Sequence, residues 1–163
     1  SNLWFGTNRG LVRTYYEKMG VEFVNALNEM LVFDAVIYNE DRHFGNFGVL
    51  RDNHTVKVTG AAPVFDNGMS LFNFAMPEDF QDLDSYAKTR GTAYSVSFES
   101  VCQEVMGPIQ ARQLRKLIGL VLRKGMPDGK GIDPFRIVRY FVHSLFPPFA
   151  YKVSQPALSL GIN

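Results

Sequence analysis

Cysteine is almost absent: Cys102 stands alone in 163 residues. No intrachain disulfide can form, and Cys102 sits among apolar neighbours at helical spacing, so a reduced, cytoplasmic setting is the simpler expectation. Histidine is scarce as well, with three in the chain, which leaves no His-rich ligand set for a tightly held transition metal. No apolar run approaches the roughly 18 residues that cross a bilayer, so no membrane partner is expected. Neither sign of charge is in excess, with 17 Lys and Arg against 16 Asp and Glu. Bulk charge by itself argues neither for nor against nucleic acid, and direct nucleic-acid binding is not expected. Repeats and low-complexity segments are missing too. Asn53-His54-Thr55 is formally a glycosylation sequon, but without secretory signs it reads as chance. The opening Ser1-Asn2-Leu3-Trp4 has no initiator Met and reads as a short cloning scar joined to an internal cut.

Aromatics are plentiful: 14 Phe and 7 Tyr promise either a bulky core or an apolar surface that something else covers. The length suits one domain. Gly6, Gly10 and Gly20 read as breakers around a short helical stretch near 14–19. From Val21 the pattern turns helical, with Phe23, Val24, Leu27, Met30, Leu31, Asp34 and Ala35 at three- and four-residue steps. Polar residues and two Gly interrupt it from Asn39 to Gly48. Short β-type runs at 47–50 and 56–59 flank the turn residues Arg51-Asp52-Asn53-His54, which predicts a hairpin. The stretch 69–96 reads as irregular, with an acidic patch at Glu78, Asp79, Asp82 and Asp84. Three helices are expected beyond it: 97–106 capped by Ser97, 108–124 opened by Pro108, and 134–146 capped by Asp133. Phe135, Val138, Phe141, Val142, Leu145 and Phe146 would form the apolar face of the last. The expected fold class is α+β, mainly α, with one small β-hairpin carrying the polar loops.

The chemistry-bearing stretch is Asp41-Arg42-His43-Phe44-Gly45-Asn46, on a loop between a helix and the hairpin. Twenty residues beyond Asn46 comes Asp66, in Phe65-Asp66-Asn67-Gly68. Phosphoryl transfer needs one carboxylate to orient the attacking hydroxyl and take its proton. It also needs an amide oxygen and a second carboxylate to hold magnesium against nucleotide phosphates. Magnesium favours hard oxygens and keeps several waters, so one Asn and one Asp suffice.

These residues resemble a known pattern. Asp41-Arg42-His43-Phe44-Gly45-Asn46 is similar to the Asp-Arg-His-x-x-Asn catalytic loop of phosphoinositide kinases and of HipA-like serine/threonine kinases. Phe65-Asp66-Asn67-Gly68 is similar to the metal-binding Asp segment that follows it, and the approach Ala62-Pro63-Val64-Phe65-Asp66 fits the HipA-like group better. The motif region covers 34–71, about a quarter of the chain. The resemblance implies a protein-kinase-like C-terminal lobe, with Asp41 as catalytic base and Asn46 and Asp66 as magnesium and ATP ligands. It implies a protein Ser/Thr substrate and an antitoxin-like regulatory partner, as in toxin-antitoxin kinases. It further divides the chain into 1–20, leading from a missing N-terminal lobe, the lobe itself over 21–148, and a tail over 149–163. The segment reads Asp-Asn-Gly where eukaryotic protein kinases have Asp-Phe-Gly, which argues against a switch run by a packing Phe. No glycine-rich phosphate loop or strand Lys precedes Asp41, so this stretch of chain is expected to be inactive by itself.

Other readings stand beside these. Asp66 is either a metal ligand or a turn residue that caps local N–H groups. Asp34 either accepts hydrogen bonds that steady the loop or faces solvent. His43, His54 and His143 read as structural. A metal-dependent hydrolase would draw on Asp41, His43, His54 and Asp66, and a kinase-shaped module could dock a partner without catalysis. Arg112, Arg115, Lys116, Arg123 and Lys124 form either a docking face or a solvated one. Ser70, Tyr86, Thr89, Thr92, Tyr94 and Ser95 supply hydroxyls for regulatory phosphorylation.

Overall fold

The computed structural model describes residues 8–117. They form an α-rich domain with a two-stranded antiparallel sheet. Helix α1 (Asn8–Met19) and helix α2 (Val21–Ile37) come first, then strands β1 (Val49–Arg51) and β2 (Val58–Ala61). A 3₁₀ turn (Asp79–Gln81), the short helix α3 (Leu83–Lys88), α4 (Phe98–Val105) and α5 (Pro108–Leu117) follow. The expected helix over 134–146 and the tail over 149–163 lie outside the described residues, as does anything of α5 beyond Leu117. Among the described residues no helix is long and apolar enough to cross a membrane.

Helix α2 is the axis of the domain. It buries Phe23, Leu27, Met30, Leu31, Val32, Asp34, Ala35 and Val36, which cover more than one face, the mark of a helix with neighbours on several sides. Those neighbours are α1, α4, α5 and β2. Helix α4 contributes Phe98, Val101, Cys102 and Val105, and α5 contributes Leu114. As its sequence predicts, α4 is capped by Ser97, whose hydroxyl accepts from the Ser100 N–H at 3.2 Å. Pro108 is the first residue of α5, where its missing N–H costs nothing.

Gly20 is the corner between α1 and α2. Its φ of 129° is open to Gly and strained for any other residue. Its N–H closes α1 on the Tyr16 carbonyl, and its own carbonyl accepts from Phe23 and Val24 to start α2. Gly10 does not break the chain as expected. It lies in the first turn of α1, which begins at Asn8 rather than near Thr14. Packing outweighs the propensity cost: Tyr16 is buried and its hydroxyl donates to the Gly48 carbonyl at 3.1 Å.

The hairpin forms two residues later than its sequence suggests. Val49 pairs with Ala61 and Leu50 with Gly60, and a bulge shifts Arg51 onto Val58. Phe47 and Val56, expected in strands, belong to loops. Val56 sits at φ 59° and closes the turn by donating its N–H to the Asp52 carbonyl at 2.8 Å. The Asp52 carboxylate accepts from the His54 and Thr55 N–H groups at 3.0 and 2.7 Å and from the Thr55 hydroxyl at 2.8 Å.

The stretch 69–96 is less irregular than expected. The Asp82 carboxylate caps α3 through the Ser85 N–H at 3.1 Å and also accepts from its hydroxyl, while Leu83 and Ala87 are buried one turn apart. The Asp79 carboxylate accepts from the Met76 N–H at 2.8 Å. Two of the four acids in the patch are therefore turn-builders.

Candidate functional site

The site begins where α2 stops. Tyr38 takes the left-handed conformation (φ 52°, ψ 52°) that ends a helix, a place usually held by Gly. Here the side chain secures it. The Tyr38 ring is 1% exposed and lies between Phe72 and Phe98, with centroids at 4.6 and 5.0 Å. The Asn39 N–H closes the helix on the Asp34 carbonyl at 2.8 Å.

From that turn the chain runs through Asn39, Glu40 and Asp41 into the loop. Asn39 is 1% exposed. Its amide donates to Asp34 Oδ1 at 2.9 Å, and its carbonyl oxygen accepts from the Asp41 N–H at 3.2 Å. The loop then closes on itself. The Asp41 carbonyl accepts from the His43 N–H at 2.8 Å and from the Asn46 side chain at 3.1 Å. His43 is exposed, and its Nδ1 accepts from the Gly45 N–H at 3.0 Å. A β-carbon at Gly45 would lie 2.9 Å from the His43 ring. His43 is thus a hydrogen-bonding member of the loop but not a packed one, and His54 is exposed in the hairpin turn.

Arg42 organises the surroundings. It is 3% exposed. Its Nε and Nη2 donate to the two carboxylate oxygens of Asp34 at 2.8 and 2.9 Å. Its Nη1 donates to the Asn46 carbonyl at 2.8 Å and to the Phe65 carbonyl. Nη2 also donates to the Asn67 side-chain oxygen at 2.6 Å. Asp34 is therefore a buried hydrogen-bond acceptor and does not face solvent. Burial pushes its carboxyl above the ordinary range, and the hydrogen bonds from Arg42 and Asn39 pull it back.

The segment after β2 returns over this loop. The Met69 carbonyl accepts from the Glu40 N–H at 3.0 Å, and the Leu71 N–H donates to the Ile37 carbonyl at 2.6 Å. Arg90 adds a tie at 3.5 Å to Glu40 and lies over the Tyr86 ring. Burial raises the Glu40 carboxyl, which Arg90 partly offsets. Asp66 is exposed, at φ 54°. The segments bearing Asp41, Asn46 and Asp66 are thus gathered around one guanidinium.

The side-chain oxygens of Asp41, Asn46 and Asp66 are the hard-ligand types available around this guanidinium. Asn46 commits its amide nitrogen to the Asp41 carbonyl, and among the described residues its side-chain oxygen receives no donor. The carboxylates of Asp41 and Asp66 likewise accept no hydrogen bond among the described residues. An amide oxygen and a carboxylate are the hard ligands that magnesium takes. The expected basic face is exposed at Arg112, Arg115 and Lys116, while Arg123 and Lys124 lie outside the described residues.

The roles of Asn39 and Asn67 are not legible in the sequence. Asn39 stands beside the motif and Asn67 within it, and polar residues in a loop are unremarkable by type. Asp34 did carry a signal: it is the single charge between Met30 and Ile37 in an apolar helix. A scan against protein-family models, a search of curated proteins and a search of solved structures return no match for this chain.

Proposed function

We propose that this chain is the catalytic-base and metal-binding lobe of an ATP-dependent phosphotransferase, a protein Ser/Thr kinase resembling the HipA-like group, in a cytoplasmic setting. One observation carries the reading: Arg42 Nη1 donates to the carbonyls of both Asn46 and Phe65. The two segments that the resemblance pairs across twenty residues thereby share one nitrogen. On this reading Asp41 orients the acceptor hydroxyl and takes its proton. Asn46 and Asp66 hold magnesium by their side-chain oxygens. Bound there, the ion supplies charge neutralisation to the nucleotide phosphates. Asn46 also bonds the Asp41 carbonyl, so base and metal ligand are set by one loop. The phosphate-clamping half, a glycine-rich loop and a Lys, would have to be supplied by a second lobe, and an antitoxin-like protein is the proposed regulator.

The test is ATP turnover by the product of the full reading frame, beside this chain and an Asp41→Asn variant. Turnover by the full product that disappears in the variant supports the reading, and turnover that survives the substitution defeats it.

A second reading is a kinase-shaped module that docks a partner without catalysis. It is favoured by the exposure of Val64, Phe65, Leu71, Phe74 and Met76 along one segment. A full-length product that binds no nucleotide yet retains a partner would select it.

A further inference from the structure

We infer that Arg42 is a polar latch holding the 65–67 segment against the 41–46 loop, with Asp34 and Asn67 as the positioning residues through which it works. A guanidinium has five N–H donors in a rigid plane. In Arg42 each has an acceptor: the two Asp34 oxygens, the Asn46 carbonyl, the Phe65 carbonyl and the Asn67 side-chain oxygen. Asp34 projects from α2 and fixes the plane of the fork. The remaining donors then point at two segments that share no strand pairing. Arg42 and Asp34 are buried at 3% exposure each, so a lost acceptor leaves a donor in a place where water does not easily replace it.

The grip falls on both sides of Asp66. Phe65 is held by its carbonyl and Asn67 by its side chain, and Asp66 between them stands at φ 54°. Asp tolerates the left-handed region but does not require it, so restraining both neighbours selects that state. Little else does so. Among the described residues no backbone N–H of 64–70 donates to a protein acceptor, and the segment's further backbone anchors lie at its far end, where the Met69 and Ser70 carbonyls accept from the Glu40 and Asn73 N–H groups. A side chain that packed in position 67 would hold such a segment by apolar contact and release it by moving. Asn67 is exposed and holds it by one charge-assisted hydrogen bond. That Asp66 so placed ligates a metal rests on the proposed phosphotransferase reading, whereas the latch does not.

The experiment uses the whole chain and two readouts. The first is chymotryptic cleavage after Phe65, which is 46% exposed. Asn67→Ala is expected to speed cleavage roughly tenfold, the worth of one hydrogen bond to a charged group, and to lower the melting temperature by no more than about a few degrees, so cleavage is read well below the transition. Asn67→Asp keeps the acceptor and is expected to cleave at the wild-type rate. Unchanged cleavage in Asn67→Ala, or equal acceleration in Asn67→Asp, overturns the latch. The second readout is broadening of the Asp66 amide NMR signal by Mn²⁺. Wild type is expected to show it and Asn67→Ala to need roughly tenfold more metal; equal titrations overturn Asn67 as a positioning residue. If wild type shows no broadening while cleavage behaves as expected, the latch stands and the phosphotransferase reading falls.

Discussion

Arg42 and Asp34 meet as a bidentate pair, with Nε on Oδ2 at 2.8 Å and Nη2 on Oδ1 at 2.9 Å, eight residues apart across the end of α2. Both side chains are at most 5% exposed. Removing one member of such a pair strands the other charge in the interior. Asp34→Ala is therefore expected to destabilise the domain by about 3–5 kcal/mol, read as a fall in the urea midpoint with an unchanged slope. A variant within about 0.5 kcal/mol of wild type would mean that water reaches Arg42 and that the pair is not buried in solution.

The turn of the hairpin makes a pH prediction. Asp52 has its carboxyl held below the ordinary value of 3.8, first by the Thr55 N–H, then by the Thr55 hydroxyl and, less strongly, by the His54 N–H. A depressed folded value means that the contribution is present above 3.8 and is lost as pH falls through the lower folded value. The carboxyl is open to solvent on a half-buried residue, so the effect on global stability is small, but the local one is measurable. The Asp52 carboxyl should titrate below 3.8 by NMR, and the Val56 amide, bonded to the Asp52 carbonyl, should lose protection over the same range. In Asp52→Asn that acid-dependent loss should vanish.

Cys102 offers a probe of the core. It is fully buried, and burial pushes its thiol well above the ordinary range. The folded protein should resist a disulfide-exchange reagent, and labelling should follow unfolding, rising with urea in step with the loss of helix. Rapid labelling in native buffer would show that α4 separates from α2 without global unfolding.

The parts of this fold that are legible in sequence are those written by local chemistry. Helix α2 follows from its apolar spacing, α4 from Ser97, and the start of α5 from Pro108. The hairpin was readable in kind but not in register, because Asp52 draws three donors and places Val56 in the turn. Helix α3 buries just Leu83 and Ala87, too few positions to show a period. Tyr38 stops α2 in a left-handed conformation with no Gly to announce it, since Phe72 and Phe98 enclose its ring. The order Asp41, Asn46, Asp66 was visible as a motif. What gathers those segments was not, because the bonds from Arg42 to Phe65 and Asn67 span 23 and 25 residues and leave no periodic trace. Asp34 alone hinted at them, as a charge that an apolar helix keeps for a reason.

Roles within the proposed site separate by substitution. In the product of the full reading frame, Asp41→Asn should lower turnover by about 10²–10⁴-fold, the usual worth of a positioned base. Nucleotide affinity should hardly change, because the Asp41 backbone, rather than its carboxylate, carries the bonds to His43 and Asn46. Asp66→Ala should weaken magnesium-dependent nucleotide binding as well as turnover. Wild-type turnover in Asp41→Asn would end its assignment as base. Unchanged magnesium dependence in Asp66→Ala would leave Asp66 as a turn residue.

The last prediction concerns this chain by itself. A two-lobe phosphotransferase clamps nucleotide phosphates between a phosphate loop on one side and metal ligands on the other. On the proposed reading, Asp41, Asn46 and Asp66 would supply only the second side. Magnesium held by one amide oxygen and one carboxylate keeps most of its waters and binds weakly without phosphates. The 163-residue chain is therefore expected to fold, yet to bind ATP no more tightly than about millimolar, near 4 kcal/mol, and to release no phosphate. Calorimetric titration with ATP and magnesium, beside an autophosphorylation assay, checks this. The exposed side chains of Val64, Phe65, Phe74 and Met76 should drive concentration-dependent association in the same samples, visible by sedimentation. Phe74→Ser should reduce that association without altering the melting temperature, because the ring is 55% exposed. Micromolar ATP affinity with steady turnover would show that the chain holds both halves of the clamp, and the assignment of Asp41, Asn46 and Asp66 to one half would then have to be given up.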